Sequence, residues 1–321
     1  MNLPDPTSVK SVAIISTGVI GASWAAYFLA RGLEVRASDP GPDAEAKARD
    51  YIERAWPALE RLGLSPGASP KALTWCDSVA EAVDGAGFVQ ENAPERKDIK
   101  DAVYDQIEDT LGDDVIVATS SSGLLVSDLQ KGRKSGTRYV LGHPFNPPHL
   151  IPLVEVLGGK ETDPQAIDWA LAFYKAQGKM PIRLNHEAPG HLVNRLQASL
   201  WREAIDAVAT GFASVEDIDT AIAYGPGLRW ALNGPHMCLH LSGGEGGMQH
   251  FMEHLEPAME VWWDDMRPSS DGPVPDEVKK MIIAGCEKEA AGRSVEEIEA
   301  QRDALLVLLL ETLAKGRKDT A

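Results

Sequence analysis

Cysteine is scarce in this sequence: Cys76, Cys238 and Cys286 are the only 3 in 321 residues, far apart and without CxxC or HxxxH spacing. That distribution offers neither a zinc site nor a disulfide framework, so no metal is expected. Long apolar runs are missing too. MNLPDPTSVK at the start has no apolar core of the kind a signal peptide carries. ALLVLLL at 304–310 is far too short to span a bilayer. Positive charge is in short supply: 31 Lys and Arg against 48 Asp and Glu leave a net charge of −17. Such a surface repels nucleic-acid phosphates and anionic membranes, serves solubility, and weakly favours cationic small molecules. These shortages imply a cytoplasmic protein with a small-molecule partner, no nucleic acid and no membrane.

What is present is the balance of a soluble globular protein, 44% hydrophobic and 25% charged, with length enough for two domains. From Val12 to about Leu184 short apolar runs alternate with helical patterns. VAIIS (12–16), LEVRASD (33–39), GFVQEN (87–92), DVIVATS (114–120) and YVLGHPF (139–145) read as strands. ASWAAYFLARG (22–32) and AKARDYIERAWPALERLG (46–63) carry apolar residues at helical spacing. The alternation predicts an α/β domain, a parallel sheet with helices on both faces. After EAPGH (187–191) the pattern turns helical, over 192–211, 214–225, 250–266 and 294–316, with Ser214 as the cap of the second segment. Domains are therefore expected over 1–187 and 188–321, the second all-α. RPSSDGPVPDE (267–277) reads as a surface loop that also caps a helix. The final helix has more Leu than one buried stripe needs, which suits burial in its own domain and a dimer contact equally.

AIISTGVIGASW (13–24) places an apolar strand, small residues and a helix start in immediate succession. Gly18 and Gly21 sit at the second and third glycines of a G-x-G-x-x-G dinucleotide turn, and Ser16 fills the first position. A helix N-terminus there offers free N–H groups to a pyrophosphate. Gly18 lets the backbone approach the phosphates, and Gly21 lets the helix pack on the strand. The second strand ends at Asp39, 18 residues after Gly21. A carboxylate at that point bonds the ribose hydroxyls of NAD and repels the 2′-phosphate of NADP. Ser16, Gly18, Val19, Ile20, Gly21 and Asp39 are thus the candidate NAD contacts of a Rossmann-type doubly wound sheet. A side chain at position 16 carries a cost if φ is positive there, so adjusted NAD affinity is expected, not absence of binding.

Three further stretches carry polar chemistry: ATSSSGLL (118–125), GHPFNPPHLIPLVEVLGG (142–159) and APGHLVNRL (188–196). Together they resemble the L-3-hydroxyacyl-CoA dehydrogenase superfamily over nearly the whole chain. SVEDIDTAIAYGPGLRWALNGPHM (214–237) and GGEGGMQHF (243–251) resemble its carnitine branch more than its acyl-CoA branch. The resemblance implies that His143 is the catalytic histidine and Glu155 its carboxylate partner. It assigns the hydroxyl-binding serine to Ser122, within three consecutive serines, and the asparagine to Asn194. Glu95 and Lys100 fall at its nicotinamide-side positions, and Asn146 supports the site from the cofactor side. A homodimer through the helical domain is implied as well. The residue types suit alcohol oxidation. Imidazole titrates near neutral pH and serves as general base. A carboxylate behind it fixes the tautomer and stabilises the imidazolium, and hydroxyl and amide groups hold the developing alkoxide. His149, His186 and His191 have no assigned partner and read as surface or structural.

Substrate choice is not set by fold or base. The branch implies oxidation of L-carnitine to 3-dehydrocarnitine; L-gulonate and a 3-hydroxyacyl-CoA are the competing alcohols. Acyl-CoA members carry an HFFNP form, whereas this chain has Pro144 and a Pro147–Pro148 pair. A trimethylammonium group donates no hydrogen bonds and is best held by aromatic faces. Trp230 and Phe251 are the first candidates for that cage, with Tyr224 next. Arg229 and Arg195 both remain open as partners of the substrate carboxylate. A non-catalytic, crystallin-like role is the competing non-enzyme reading: Ser16 leans toward it, the His143–Glu155 pair against it.

Overall fold

Side-chain alternation decides how the first part of the chain folds. In β1 (Ser11–Ile15), Val12 and Ile14 belong to one buried cluster, Ala13 and Ile15 to another. Successive strand residues point to opposite faces, so both faces of this strand must be covered, as in a doubly wound sheet. The computed structural model describes residues 1–266 and 273–319. It continues through α1 (Val19–Ala30), β2 (Glu34–Ser38), α2 (Ala44–Leu62), β3 (Leu73–Trp75), α3 (Val79–Val83), β4 (Phe88–Glu91) and α4 (Lys97–Thr110). Next come β5 (Ile116–Thr119), α5 (Val126–Gln130), β6 (Tyr139–Pro144), β7 (Leu153–Gly158), α6 (Pro164–Ala176) and β8 (Met180–Arg183). The eight strands form one sheet in the order β3-β2-β1-β4-β5-β6-β7-β8.

Helices α1, α2 and α6 cover one face, and α3, α4 and α5 the other. The first core is rich in aromatics: Phe173 of α6 lies 4.2 Å from the ring of Phe88 and stacks on Trp169 at 5.4 Å. The second holds a buried ion pair. Glu91, at the end of β4, accepts from the Lys100 ammonium at 2.7 and 2.9 Å, and from Tyr104 and Thr119 at 2.7 Å each. Two buried charges are tolerable only with such full satisfaction.

The sheet differs from the parallel one expected in a single ladder: β7 runs antiparallel to β6, while the other pairs are parallel. Strand β7 and the short β3 and β8 were not among the five strands expected; in β3 and β8, three or four residues show little alternation.

The chain divides into two compact units. The first contains residues 1–194 and 303–312, and the second 195–302 and 313–321. The first unit thus runs seven residues past the boundary expected at 187, because the backbone N–H groups of Leu192 and Val193 are bonded to Glu155 of β7. The remaining elements are α7 (Val193–Ala209), α8 (Val215–Tyr224), α9 (Pro226–Leu232), α10 (Pro235–Ser242), α11 (Gly247–His254), α12 (Glu256–Asp265), α13 (Asp276–Ala290) and α14 (Val295–Asp319). Ser214 caps α8 as expected, accepting from the Asp217 N–H at 3.1 Å. The single helix expected over 250–266 is instead α11 and α12, separated at Leu255, because Pro257 is tolerated only in a first turn. Of the loop expected over 267–277, residues 267–272 lie outside the described residues. In α14, Val307 is buried while Leu305 and Leu308 are exposed, and Glu311 pairs with Arg61 of α2 within the first unit. No helix among the described residues is long and apolar enough to cross a membrane.

Phe173 is fully buried between Phe88 and Trp169, so Phe173→Ala should lose about 3–5 kcal/mol of stability. Phe212, 87% exposed, is the control: Phe212→Ala should stay within about 0.5 kcal/mol. Urea unfolding midpoints of the two variants check this.

Candidate active site

Strand β1 ends in the turn that the sequence singled out. Ser16 has φ +66°, the left-handed region, so the condition that makes a side chain costly there is met. The reason for that conformation is close packing. A Cβ added to Gly21 would lie 1.9 Å from the Ser16 carbonyl oxygen, so α1 docks against the turn backbone itself. Gly18 is different: a Cβ there would meet nothing within 4 Å, and its open side faces a cleft. The cleft, about 680 Å³, is lined by Ser16, Gly18, Val19, Ile20, Gly21 and Asp39 among others. The first-turn N–H groups of α1 have no acceptor within their helix and meet an anion well. Asp39 is already engaged: its carboxylate accepts from the Thr17 N–H and the Gly41 N–H, at 2.7 Å each. The Thr17 hydroxyl adds a longer bond at 3.4 Å, and since a carboxylate offers about four lone-pair sites, acceptor capacity remains for a ribose hydroxyl. Open space at Gly18, unpaired amides and a fixed carboxylate fit a dinucleotide. Val79, Ile99 and Val103, which give the cleft apolar walls, were missed. Their signal was position, since ligands of doubly wound sheets sit beyond the strand C-termini.

The chemical groups cluster at the end of β6. His143 Nδ1 lies 2.8 Å from Glu155 Oε2, and its Nε2 lies 3.1 Å from Ser122 Oγ. A carboxylate only accepts, so Nδ1 carries the proton and Nε2 turns a lone pair toward the serine. Glu155 is fully buried. Burial opposes its ionisation, but the bonds from His143 and from the Val193 and Leu192 N–H groups outweigh it, so its pKa lies below the ordinary value. Asn194 follows those two amides in the first turn of α7, partly buried. Ser122, His143, Glu155 and the start of α7 are therefore one connected group.

Other expected residues lie apart from that relay. Glu95 accepts from Ser121 Oγ (2.6 Å) and from the Gly123 and Leu124 N–H groups, holding the serine loop. Burial pushes its pKa up, yet those bonds and the Lys100 charge bring it below the ordinary value. The Lys100 ammonium is turned inward to Glu91 and is 1% exposed, a placement its sequence spacing from Glu95 did not reveal. Asn146 is exposed at the cis peptide preceding Pro147. His149, read as lacking a partner, is buried and bonded to Ser23 of α1 at 2.8 Å. Beside it, the buried Lys179 donates to the carbonyls of Pro148 and Ile151, fixing the loop that follows His143. His186 is exposed; His191, read like His149, is buried and bonded to the Ser121 carbonyl. In the second unit Trp230 is 42% exposed on α9, Tyr224 is exposed at the end of α8, and Phe251 is only 3% exposed on α11. No ring–ring contact joins these three among the described residues.

Ser16→Gly should stabilise the protein by about 0.5–1 kcal/mol, the left-handed strain offset by the greater unfolded-chain freedom of glycine. It should also tighten NAD binding severalfold. Identical titration curves for variant and wild type would show that the Ser16 side chain is irrelevant to the cofactor. Gly21→Ala must displace the turn and should abolish NAD binding.

The family model described as 3-hydroxyacyl-CoA dehydrogenase, NAD binding domain, matches residues 11–187, and that of the C-terminal domain matches 190–269. The L-carnitine dehydrogenase of Streptomyces coelicolor is 46% identical over 98% of both chains. That of Bacillus cereus is 41% identical, covering 98% of this chain and 96% of its own. That of Pseudomonas putida is 40% identical, covering 98% and 97%. Among solved structures, 5-formyl-3-hydroxy-2-methylpyridine 4-carboxylic acid 5-dehydrogenase, an NAD+-dependent dismutase, superposes with a TM-score of 0.82 at 28% identity over 95% of this chain and 99% of that one. The 3-hydroxybutyryl-CoA dehydrogenase of Escherichia coli gives 0.64 at 25% identity, covering 87% of this chain and 57% of that one. Matches to both domain models, and 40–46% identity to these relatives over 98% of its length, lead to one conclusion: the chain belongs to the 3-hydroxyacyl-CoA dehydrogenase family.

Proposed function

We propose that the protein oxidises the 3-hydroxyl of L-carnitine to 3-dehydrocarnitine, with NAD as cofactor. The observation that carries the substrate is the 40–47% identity, over at least 94% of this chain, to relatives named L-carnitine dehydrogenase. The relay supports the reaction type. Its intact form, beside a fitting cleft, favours an enzyme over a crystallin-like packing role.

In this reading the glycine turn, Val19, Ile20 and Asp39 hold the cofactor, which when bound supplies the hydride acceptor. His143 Nε2 takes the hydroxyl proton. Glu155, kept ionised, holds the ring's tautomer and offsets the charge it gains. Ser122 and Asn194 hold the oxygen through hydrogen bonds as its charge develops. Glu95 holds the serine loop, and Lys100 acts from beneath it through Glu91. Asn146, exposed in the loop after His143, is assigned a supporting role on the cofactor side. Trp230 leads the candidates for the trimethylammonium group because its ring is accessible and indole is the strongest cation–π face; Tyr224, more exposed still, follows, and Phe251 requires its neighbours to part. The −17 net charge suits a cationic substrate. We further infer a homodimer formed through the helical unit, whose Trp201, Trp262 and Trp263 are all more than half exposed. A cytoplasmic setting fits three cysteines that are all unpaired.

NADH appearance at 340 nm should be seen with L-carnitine and not with L-gulonate or 3-hydroxybutyryl-CoA. No signal with L-carnitine despite bound NAD would overturn the assignment. His143→Gln should lower kcat by about 10²- to 10⁴-fold, the range of a lost general base. Trp230→Ala should raise the KM for L-carnitine while leaving the KM for NAD unchanged; an unmoved carnitine KM places the cage elsewhere.

A further inference from the structure

His191 is used by none of the steps above, yet it sits against the His143 ring and the serine loop. The residue is 3% exposed and adopts φ +51°, a left-handed conformation uncommon outside glycine. Its surroundings impose that shape. Its own N–H is bonded to the Ala188 carbonyl at 3.0 Å, and the next two N–H groups, of Leu192 and Val193, are bonded to Glu155. The imidazole is thereby delivered beside His143, with ring centroids 5.2 Å apart.

Its two nitrogens have different surroundings. Nε2 lies 3.0 Å from the Ser121 carbonyl oxygen. A carbonyl only accepts, so Nε2 must donate and the neutral ring carries its proton there. Nδ1 is buried and has no hydrogen-bond partner among the described residues. As a bare lone pair it is merely unsatisfied; as an N–H of a charged ring it would be a buried donor facing nothing. The titratable groups acting on the ring are His143, Glu155 and Glu95. Burial and the neighbouring His143 disfavour a charge on His191, against the pull of the two carboxylates and the Ser121 bond, and its pKa falls below the ordinary histidine value.

The Ser121 carbonyl belongs to the peptide that leads into Ser122. That loop is gripped from one side by Glu95, which takes the Ser121 hydroxyl and the Gly123 and Leu124 amides. His191 holds the same loop at the Ser121 carbonyl. Between the two holds, Ser122 Oγ reaches His143 Nε2. We propose that His191 is a positioning residue: as a neutral imidazole with its proton on Nε2, it fixes the Ser121–Ser122 peptide and so sets the serine against the base. The inference rests on the reading of His143 as that base.

Glutamine can present a donor nitrogen near the position of Nε2, whereas phenylalanine fills the space without one. His191→Phe should lower kcat for L-carnitine by about 10- to 100-fold, as expected of a displaced hydrogen-bonding group, with the KM for NAD unchanged. His191→Gln should retain kcat within about threefold. Because His191 is neutral in the working enzyme, the acidic limb of kcat/KM should stay in place in His191→Gln. Equal losses in the two variants, or full activity in His191→Phe, would overturn the proposal. Nitrogen-15 spectra of histidine-labelled protein supply an arm that needs no substrate, so it stands even if L-carnitine is not oxidised. The signal absent from His191→Gln should show the Nε2–H tautomer and remain neutral below about pH 6.5, the ordinary histidine midpoint. The His143 signals should shift in His191→Phe and not in His191→Gln. A charged His191 at neutral pH, or a proton on Nδ1, would overturn it.

Discussion

His143 and Glu155 meet because one strand runs against its neighbour. In the antiparallel ladder of β6 and β7, His143 stands directly opposite Glu155, where side chains leave the sheet within about 4.5–5.5 Å of each other. The 2.8 Å bond between ring and carboxylate is thus a property of strand register, not of a flexible loop. A slip of one residue would turn every β7 side chain to the other face. The register is protected by burial, since Val154, Glu155, Val156 and Leu157 are all buried. The reversal also turns β7 back along β6, so that a residue within it reaches the strand end where the serine loop lies.

The cofactor side obeys a different constraint. Strand order reverses beside β1, with β2 on one side and β4 on the other, and the cleft opens at that switch point, bounded by Ile15 and Asn92. Here the limiting quantity is space for backbone. Gly21 is needed because a helix touches a carbonyl, whereas Gly18 borders open space. Ser16 keeps the turn at the cost of a left-handed residue. The two halves of the site are joined through α1, whose Ser23 holds His149 in the loop that follows His143.

Much of this was legible in the sequence, for physical reasons that differ by residue. Strands such as 12–16 and 114–120 are buried on both faces and show as continuous apolar runs. The turn residues, Asp39, and the Ser122–His143–Glu155 group are short-range patterns or family motifs. The direction of β7 was not legible, because hydrophobicity carries no sign of strand orientation. Pro257 is read one way inside a helix and another at its start, so the break at Leu255 needed the structure. Lys100 was expected beside the nicotinamide; its partner Glu91 lies nine positions away on another element, beyond any local pattern. His191 and His149 looked unassigned for the same reason, since their partners are 70 and 126 residues distant.

The second oxygen of Glu155 has a consequence beyond holding α7. Oε1 takes the amides of Leu192 and Val193, at 3.0 and 2.9 Å, while Oε2 takes the histidine. Electron density withdrawn from one oxygen is withdrawn from the other. The two amide protons are in effect built-in gauges of the dyad: their chemical shifts and exchange rates follow its charge state, legible in a spectrum with no substrate or dye present.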